Sequence, residues 1–333
     1  MSPEFSVIVP VYNRIDEVRE LLDSLLAQKT NNFEVIIVED GSTETCKDEV
    51  DNAVSKGLDV KYFHKENEGR SIARNYGMEH AGGNYFVFFD SDCVIPPDYF
   101  ANLEETLKSH PLDCFGGPDA AHDSFTDKQK AINYSMTSFL TTGGIRGGKI
   151  QLEKFVPRTF NMGYSRKVYE SVGGFREMFS EDIDMSTRIR HAGFTIGLVH
   201  NPVWHKRRVD FKKFFRQVYV FGKSRVTLKL LYPDSLKLVH VLPTAFVIGC
   251  VALLLLGIFV SPWFFVPLGI YFLAVFAGAL YSTKRLKIAA MAMPAAAIQL
   301  WGYGIGFLRD FTLKIIMGRG RNIEEEVEMR KGK

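Results

Sequence analysis

Asp90-Ser91-Asp92 sets two carboxylates one residue apart, directly after the apolar run Tyr85-Phe86-Val87-Phe88-Phe89. Such a run reads as a buried strand, and open α/β sheets place their sites outside the carboxyl ends of the strands. Two acids at that spacing can share a hard divalent cation and hold it against phosphate oxygens. Alone, the tripeptide equally suits a turn rich in Asp and Ser, so its meaning rests on its neighbours. Val9-Pro10-Val11-Tyr12-Asn13-Arg14 closes one earlier strand and Val38-Glu39-Asp40-Gly41-Ser42 closes another. An acid at a strand end accepts hydrogen bonds from a base N–H or from ribose hydroxyls, or it caps the next helix. Arg70 and Arg74 fall on one helix face, where they can neutralise a diphosphate or brace the Asp90–Asp92 turn. Glu181, Asp182 and Asp184 open a later helix, where the helix dipole stabilises the anion. Neither G-x-G-x-x-G nor a Walker A sequence occurs, so no glycine-rich loop cradles phosphate.

The elements that must position these residues alternate. Residues 4–120 read as strands at 5–11, 33–39, 59–64, 84–89 and 113–118, with helices at 15–28, 44–56, 70–81 and 98–109. That alternation predicts an α/β domain with a mostly parallel sheet. Residues 122–153, with Gly143-Gly144 and Gly147-Gly148, read as a mobile loop. Residues 155–204 read as a strand near 156–162, a short helix after Ser165 and a helix from Ile183 to Ala192.

Composition bounds the rest. The 333 residues suit one α/β domain plus an appendage, and a net charge of +3 is too small to argue for nucleic acid. Four cysteines without C-x-x-C spacing fit reduced thiols. Met1–Pro10 has no signal-peptide pattern. Leu238 through Thr283 carries no Asp, Glu, Lys or Arg. A bilayer-spanning helix needs about 20 apolar residues, and this stretch has room for two, with a turn at Ser261-Pro262. A third uncharged run, Ile288–Leu308, either spans or dips in and returns. The basic stretch 206–229 and Lys284-Arg285-Lys287 flank the first two spans and are expected on the cytoplasmic side. Phe211, Phe214, Phe215, Val218 and Phe221 recur among Lys212, Lys213, Arg216, Lys223 and Arg225. That is the pattern of a helix lying on an anionic membrane surface, or docked on the domain.

In order, the chain reads Val-Pro-Val-Tyr-Asn, Glu-Asp-Gly-Ser, Gly-Arg-Ser-Ile-Ala-Arg-Asn, Asp-Ser-Asp, Gly-Gly-Phe (173–175) and Ser-Glu-Asp-Ile-Asp (180–184). This series resembles glycosyltransferase family 2, the inverting enzymes of GT-A fold, over roughly residues 4–210. The tail resembles the membrane segments that many members carry. The resemblance implies a GT-A domain, a Rossmann-like mixed sheet that handles nucleotide-diphospho-sugars, at 1–205. After it come a basic amphipathic juxtamembrane segment at 206–237, two to three transmembrane helices at 238–310 and a charged tail at 311–333.

The resemblance also implies roles. Pro10, Tyr12, Glu39 and Asp40 would hold the base and ribose of the donor, with Arg74 on the nucleotide side. Asp90 would face ribose and metal, and Asp92, with His205 as a further ligand, would bind Mn²⁺ or Mg²⁺. Asp182, in Glu181-Asp182, would be the catalytic base. Asn161, Met162, Gly174 and Phe175 would line the donor sugar and acceptor. Independently of the resemblance, the glycines of the 122–153 loop suggest that it closes over bound donor and excludes water. Inverting transfer needs one base for the acceptor hydroxyl and positive charge on the departing diphosphate, which agrees with these roles. The Q-x-x-R-W of processive members is missing, so one sugar is expected per binding event. The expected partners are a nucleotide-sugar, most simply a UDP-sugar, and a lipid-linked saccharide at the inner membrane, with the catalytic domain cytoplasmic. Two alternatives stand beside this reading. One is a phosphatase of the haloacid dehalogenase type, with Asp90 as nucleophile and Asp92 as general acid. The other is a non-catalytic membrane scaffold.

Overall fold

The computed structural model describes residues 3–120, 125–143, 155–206, 210–320 and 322–323. They fall into two compact units, one formed by 3–120 with 155–206 and the other by 125–143 with 210–323.

The first unit begins β1 (Phe5–Val11), α1 (Ile15–Leu26), β2 (Phe33–Asp40), α2 (Lys47–Ser55), β3 (Val60–Lys65), α3 (Arg70–Glu79) and β4 (Tyr85–Phe88). It continues through β5 (Cys93–Val94), α4 (Tyr99–Ser109), β6 (Cys114–Gly116) and β7 (Asp119–Ala120). The chain then makes α5 (Asp127–Thr137) and α6 (Phe139–Thr142), which belong to the second unit. It returns as β8 (Met162–Ser165), α7 (Arg166–Val172), α8 (Glu181–His191), β9 (Ile196–Leu198) and β10 (Val203–His205). Seven strands form one sheet in the order β3-β2-β1-β4-β8-β6-β9, and β5-β10-β7 form a small second sheet.

The central strands are apolar on both faces because both faces are covered. Val7, Val9, Val11, Val35 and Ile37 pack with α1, α2 and α4, while Ile8, Ile36 and Val38 meet Ala73 and Met78 of α3. Gly77 permits that approach, since a Cβ there would lie 2.6 Å from Ile8 Cγ2. Ile8 pairs with Ile36 on one side and Phe88 on the other, so the parallel strands β1, β2 and β4 end at one edge of the sheet. β8 runs antiparallel, with Met162 opposite both Phe88 and Gly116, which brings Asn161 to that same edge. The sheet is therefore mixed. β8 also starts later than the strand expected near 156–162, because Arg158 and Asn161 close a tight turn (Asn161 N donates to Arg158 O at 2.8 Å) before the strand begins.

The second unit adds α9 (Phe211–Leu231), α10 (Leu238–Phe259), α11 (Val266–Thr283) and α12 (Leu286–Asp310). Three helical stretches, Leu238–Phe259, Pro262–Thr283 and Leu286–Ile316, are long and apolar enough to cross a membrane. The third runs on without a break through a π-helical turn, Phe311–Ile316, rather than dipping in and returning. α9 buries Phe214, Val218 and Gly222 against α12 and leaves Lys212, Lys213 and Arg216 exposed. Glycine sets that packing. A Cβ on Gly222 would collide with Tyr303 O and one on Gly306 with Tyr219 O, while Gly304 does the same for α10, 2.6 Å from Pro243 O.

Residues 125–143 are helical, where the sequence suggested a mobile loop in the first domain. The rest of that loop lies outside the described residues. Thr126 and Gln129 form a capping box at the start of α5. Ile132 and Met136, one turn apart, join Phe214, Val218 and Ala295 in an apolar cluster. Asp127 pairs with Lys287 at 3.0 Å and Arg285 at 3.5 Å. Ala131, Ile132, Tyr134 and Met136 are the apolar side chains in eleven residues, too irregularly spaced a pattern to mark a helix unless its docking surface is known.

Candidate active site

Past Phe89 the chain turns sharply, with Cys93 N donating to Asp90 O at 3.0 Å. The small sheet then does the positioning: His205 pairs with Cys93, and Val203 with Asp119. This pairing sets the His205 imidazole among three carboxylates. Its Nε2 lies 3.2 Å from Asp92 Oδ1 and 4.0 Å from Asp90 Oδ2, and its Nδ1 lies 3.8 Å from Asp119 Oδ2. Phe160 stacks on the ring with centroids 4.6 Å apart. The Asp90 side chain is 34% exposed and that of Asp92 20%, whereas Asp119 is 2% exposed.

Donor atoms of Asp92, Cys93 and His205 lie within 4.8 Å of one another. Burial, reinforced by Asp92 and Asp90, pushes the Cys93 thiol pKa well above the usual thiol value, and a soft sulfur is not the ligand that Mn²⁺ or Mg²⁺ prefers. It donates to Phe160 O at 3.6 Å instead. Asp92 and His205, with Asp90 Oδ2 4.0 Å from the imidazole, offer a hard O,O,N donor set, which suits Mn²⁺ or Mg²⁺.

Arg74 connects this cluster to α8. The wholly buried guanidinium donates to Asp90 Oδ1 at 2.7 Å and to Glu181 Oε1 at 2.9 Å, while Arg70 donates to Glu181 Oε2 at 2.8 Å. Phe175 lies against the guanidinium, 5.7 Å from ring centroid to Cζ. Arg74 thus braces the Asp90 turn, whereas Arg70 reaches Glu181 and not that turn. Burial pushes the Glu181 carboxyl above its ordinary pKa, against the pull of Arg70 and Arg74. Its neighbour Asp182 follows Ser180, a non-glycine residue at φ 67° that turns the chain sharply into α8. Asp182 Oδ1 accepts from Ile183 N at 2.8 Å, and Oδ2 lies 3.3 Å from Arg158 Nη1. The two adjacent acids are thus unequal: Glu181 is 2% exposed with both oxygens held by arginine, and Asp182 is 15% exposed.

At the ends of β1 and β2, Tyr12 is exposed. Asn13 N donates to Ser42 Oγ at 2.8 Å and Asn13 Oδ1 accepts from Thr43 N at 2.9 Å, which ties the two strand-end loops together. Pro10 is half-buried on β1. Glu39 is wholly enclosed, and its Oε2 accepts from Tyr62 OH at 2.7 Å and Cys46 N at 3.0 Å. Asp40 accepts from Glu68 N at 3.0 Å, Gly69 N at 2.8 Å and Lys65 Nζ at 3.1 Å. These bonds clamp the loop that launches α3 and hence aim Arg70 and Arg74.

Asn161, Met162 and Phe175 have their side chains enclosed, while Gly174 is half-buried. Asn161 takes Tyr99 OH at 2.7 Å and donates to Asn201 O at 2.8 Å, fastening the loops beneath His205. Met162 and Phe175 belong to the core, and a Cβ on Gly174 would strike Asn75. Asp119 and Arg158 carry no local sequence signal for a role here. A two-residue strand paired across more than eighty positions brings Asp119 in, and nothing in Gly116-Gly117-Pro118-Asp119 announces it.

The profile of the family described as "Glycosyl transferase family 2" matches residues 6–173, just over half of the chain. An uncharacterized glycosyltransferase of Rickettsia felis is 37% identical over 136 residues, 41% of this chain but only 22% of that protein's length. Glycosyltransferase AglE of Haloferax volcanii is 24% identical over 264 residues, 74% of this chain and 81% of the relative. Among solved structures, a mannosyltransferase of Pyrobaculum calidifontis in complex with GDP-Man and Mn²⁺ superposes with a TM-score of 0.63 at 18% identity, covering 90% of this chain and 88% of that one. At that identity the likeness establishes the fold, GT-A. The alternative of a phosphatase with Asp90 as nucleophile finds no support: the matching family is a transferase, and Asp90 Oδ1 is engaged by Arg74.

Proposed function

The chain belongs to glycosyl transferase family 2, and from that premise we propose that it moves one sugar from a nucleotide-sugar, expected to be a UDP-sugar, to a membrane-held acceptor with inversion at the anomeric carbon. The observation that carries this reading is the convergence of Asp92 Oδ1 on His205 Nε2 at 3.2 Å, beside an Asp90 braced by buried Arg74. A divalent cation held there by Asp90, Asp92 and His205 would neutralise charge on the departing diphosphate. The Mn²⁺ and GDP-Man of the Pyrobaculum calidifontis mannosyltransferase support that class of cofactor and donor.

The chain's own residues do the rest. Tyr12, Pro10, Glu39 and Asp40 shape the place for base and ribose. Arg74 keeps Asp90 oriented. Asp182, the more accessible acid at the start of α8, accepts the proton of the acceptor hydroxyl as its oxygen attacks. Asn161, Met162 and Phe175 act by holding the walls in position, as their burial suits, and Gly174 by letting the chain pass close to Asn75. The three apolar helices anchor the enzyme as a multi-pass protein. The basic residues flanking the first two spans favour a cytoplasmic catalytic domain. A lipid-linked saccharide is the acceptor class that such an anchor serves.

The test is UDP binding to detergent-purified protein, with and without Mn²⁺, in wild type and Asp92→Asn. Metal-dependent binding that the variant loses is expected. If neither UDP nor GDP binds under either condition, the proposal fails.

A further inference from the structure

His205 has a carboxylate facing each ring nitrogen, and the inner one belongs to a residue with no role so far. Asp119 Oδ2 lies 3.8 Å from His205 Nδ1, while Nε2 points to Asp92 Oδ1 at 3.2 Å. The arrangement is built into the backbone. β7 and β10 pair in parallel, with Val203 opposite Asp119 and Trp204 opposite Ala120, so the strand that carries His205 runs beside the one that carries Asp119. Asp119 is 2% exposed, and a buried carboxylate keeps its charge only beside donors or positive charge, one of which the His205 ring nitrogen can supply. Phe160 covers the ring face at 23° to its plane and limits the imidazole to in-plane adjustment.

We propose that Asp119 is a positioning residue for the cation site: it holds the His205 imidazole as the Nδ1–H tautomer, leaving the Nε2 lone pair for the metal. The inference rests on the reading of Asp90, Asp92 and His205 as metal-holding residues. Its physics is general. A metal-binding imidazole donates its other N–H to an acceptor, which fixes ring orientation and raises basicity. At 3.8 Å the pair is at ion-pair range, longer than the roughly 2.9 Å of a hydrogen bond. With a cation in the site, the pair must shorten to hydrogen-bond length. The register of two short strands thus fixes which nitrogen faces Asp92.

The experiment is Mn²⁺ titration of the full-length detergent-purified protein, with free Mn²⁺ read by electron paramagnetic resonance and no donor present. Wild type, Asp119→Asn, His205→Ala and the double variant are compared. Asp119→Asn should weaken Mn²⁺ binding by roughly 10–100-fold, and in the His205→Ala background it should add little, because the two act as one unit. Wild-type Mn²⁺ affinity in Asp119→Asn, together with a loss in His205→Ala, would overturn the positioning role and leave the metal reading intact. Unchanged affinity in His205→Ala would overturn the metal reading itself. A second readout needs no variant. Nitrogen-15 shifts of the His205 ring, taken in wild-type protein saturated with diamagnetic Mg²⁺, should report a protonated Nδ1 and an unprotonated Nε2, and a protonated Nε2 would sink the proposal.

Discussion

Arg74 and Asp90 are joined by a 2.7 Å hydrogen bond whose donor is wholly buried and whose acceptor is one-third exposed. A rigid, dehydrated cation thus holds one face of a carboxylate whose other face meets solvent. Its second arm reaches Glu181 at 2.9 Å, so the turn after β4 and the start of α8 move as one piece. Arg74→Lys keeps the charge but cannot span both acids. Breaking a buried pair costs about 3–5 kcal/mol. Because Lys retains the charge and leaves one acid without its donor, denaturant unfolding of the detergent-solubilised variant should show a smaller loss of about 1–3 kcal/mol, and wild-type stability would argue against the brace.

Asp182→Asn should behave differently. The side chain keeps its size and its bond from Ile183 N but loses the charge paired with Arg158, so stability should fall by no more than about 1 kcal/mol while Mn²⁺-dependent UDP binding stays. Turnover should fall by about 10²–10⁴-fold, the usual contribution of a general base. Normal turnover with a pure donor and acceptor would show that another group takes the proton.

Away from the site, Glu34 gives a pH prediction. Its carboxylate is buried at the start of β2, bonded to Ser6 Oγ at 2.7 Å and paired with Lys61 at 2.7 Å. Burial alone would raise its pKa, but Lys61, the Gly82 N–H and Ser6 together hold it below the ordinary 4.5. The unfolded chain therefore takes up the proton first as pH falls. The stabilisation is complete above the ordinary value and disappears as pH drops through the lower folded one. Melting curves from pH 7 downward should show Glu34→Gln less stable than wild type at neutral pH, with the gap closing in acid. A gap independent of pH would contradict the sign.

Glycines in the apolar helices separate into two kinds. Gly306 faces Tyr219 O with no room for a methyl group, whereas Gly249 and Gly269 have nothing within 4 Å of an added Cβ. Gly306→Ala should lose about 1–3 kcal/mol by overpacking α9 on α12. Gly249→Ala should be neutral, or gain up to about 1 kcal/mol from helix propensity. Thermal unfolding in detergent compares them directly, and equal effects would mean that α9 and α12 do not pack through these glycines.

Mass spectrometry of the product should show a single added sugar, in keeping with the missing Q-x-x-R-W sequence. A ladder of polymers from purified enzyme would refute this.

The alternation of β1 through α4 was legible because those strands are buried on both faces and their helices carry a regular apolar stripe. The acid pair was legible because it follows the apolar run that becomes β4. What escaped depends on partners distant in the chain. Residues 156–161 have the apolar content of a strand, yet the Arg158–Asn161 turn delays β8 to Met162. Glu39 and Asp40 look alike at a strand end, but Tyr62 and Cys46 enclose the first while Lys65 and the 68–69 amides clamp the second. Asp119 gains its place from a register that no local pattern encodes.

The position of α5 in the chain bears on how the protein can be cut and made. β8 sits between β4 and β6 in the sheet, yet it is synthesised after α5, whose apolar side is covered by residues of α9 and α12. A recombinant fragment ending at residue 205 would keep every strand but leave Ile132 and Met136 facing water in the middle of its chain, not at a trimmable end. Such a fragment should aggregate. A soluble version calls for replacing 125–143 with a short polar linker, and on the ribosome the excursion stays uncovered until α12 has emerged.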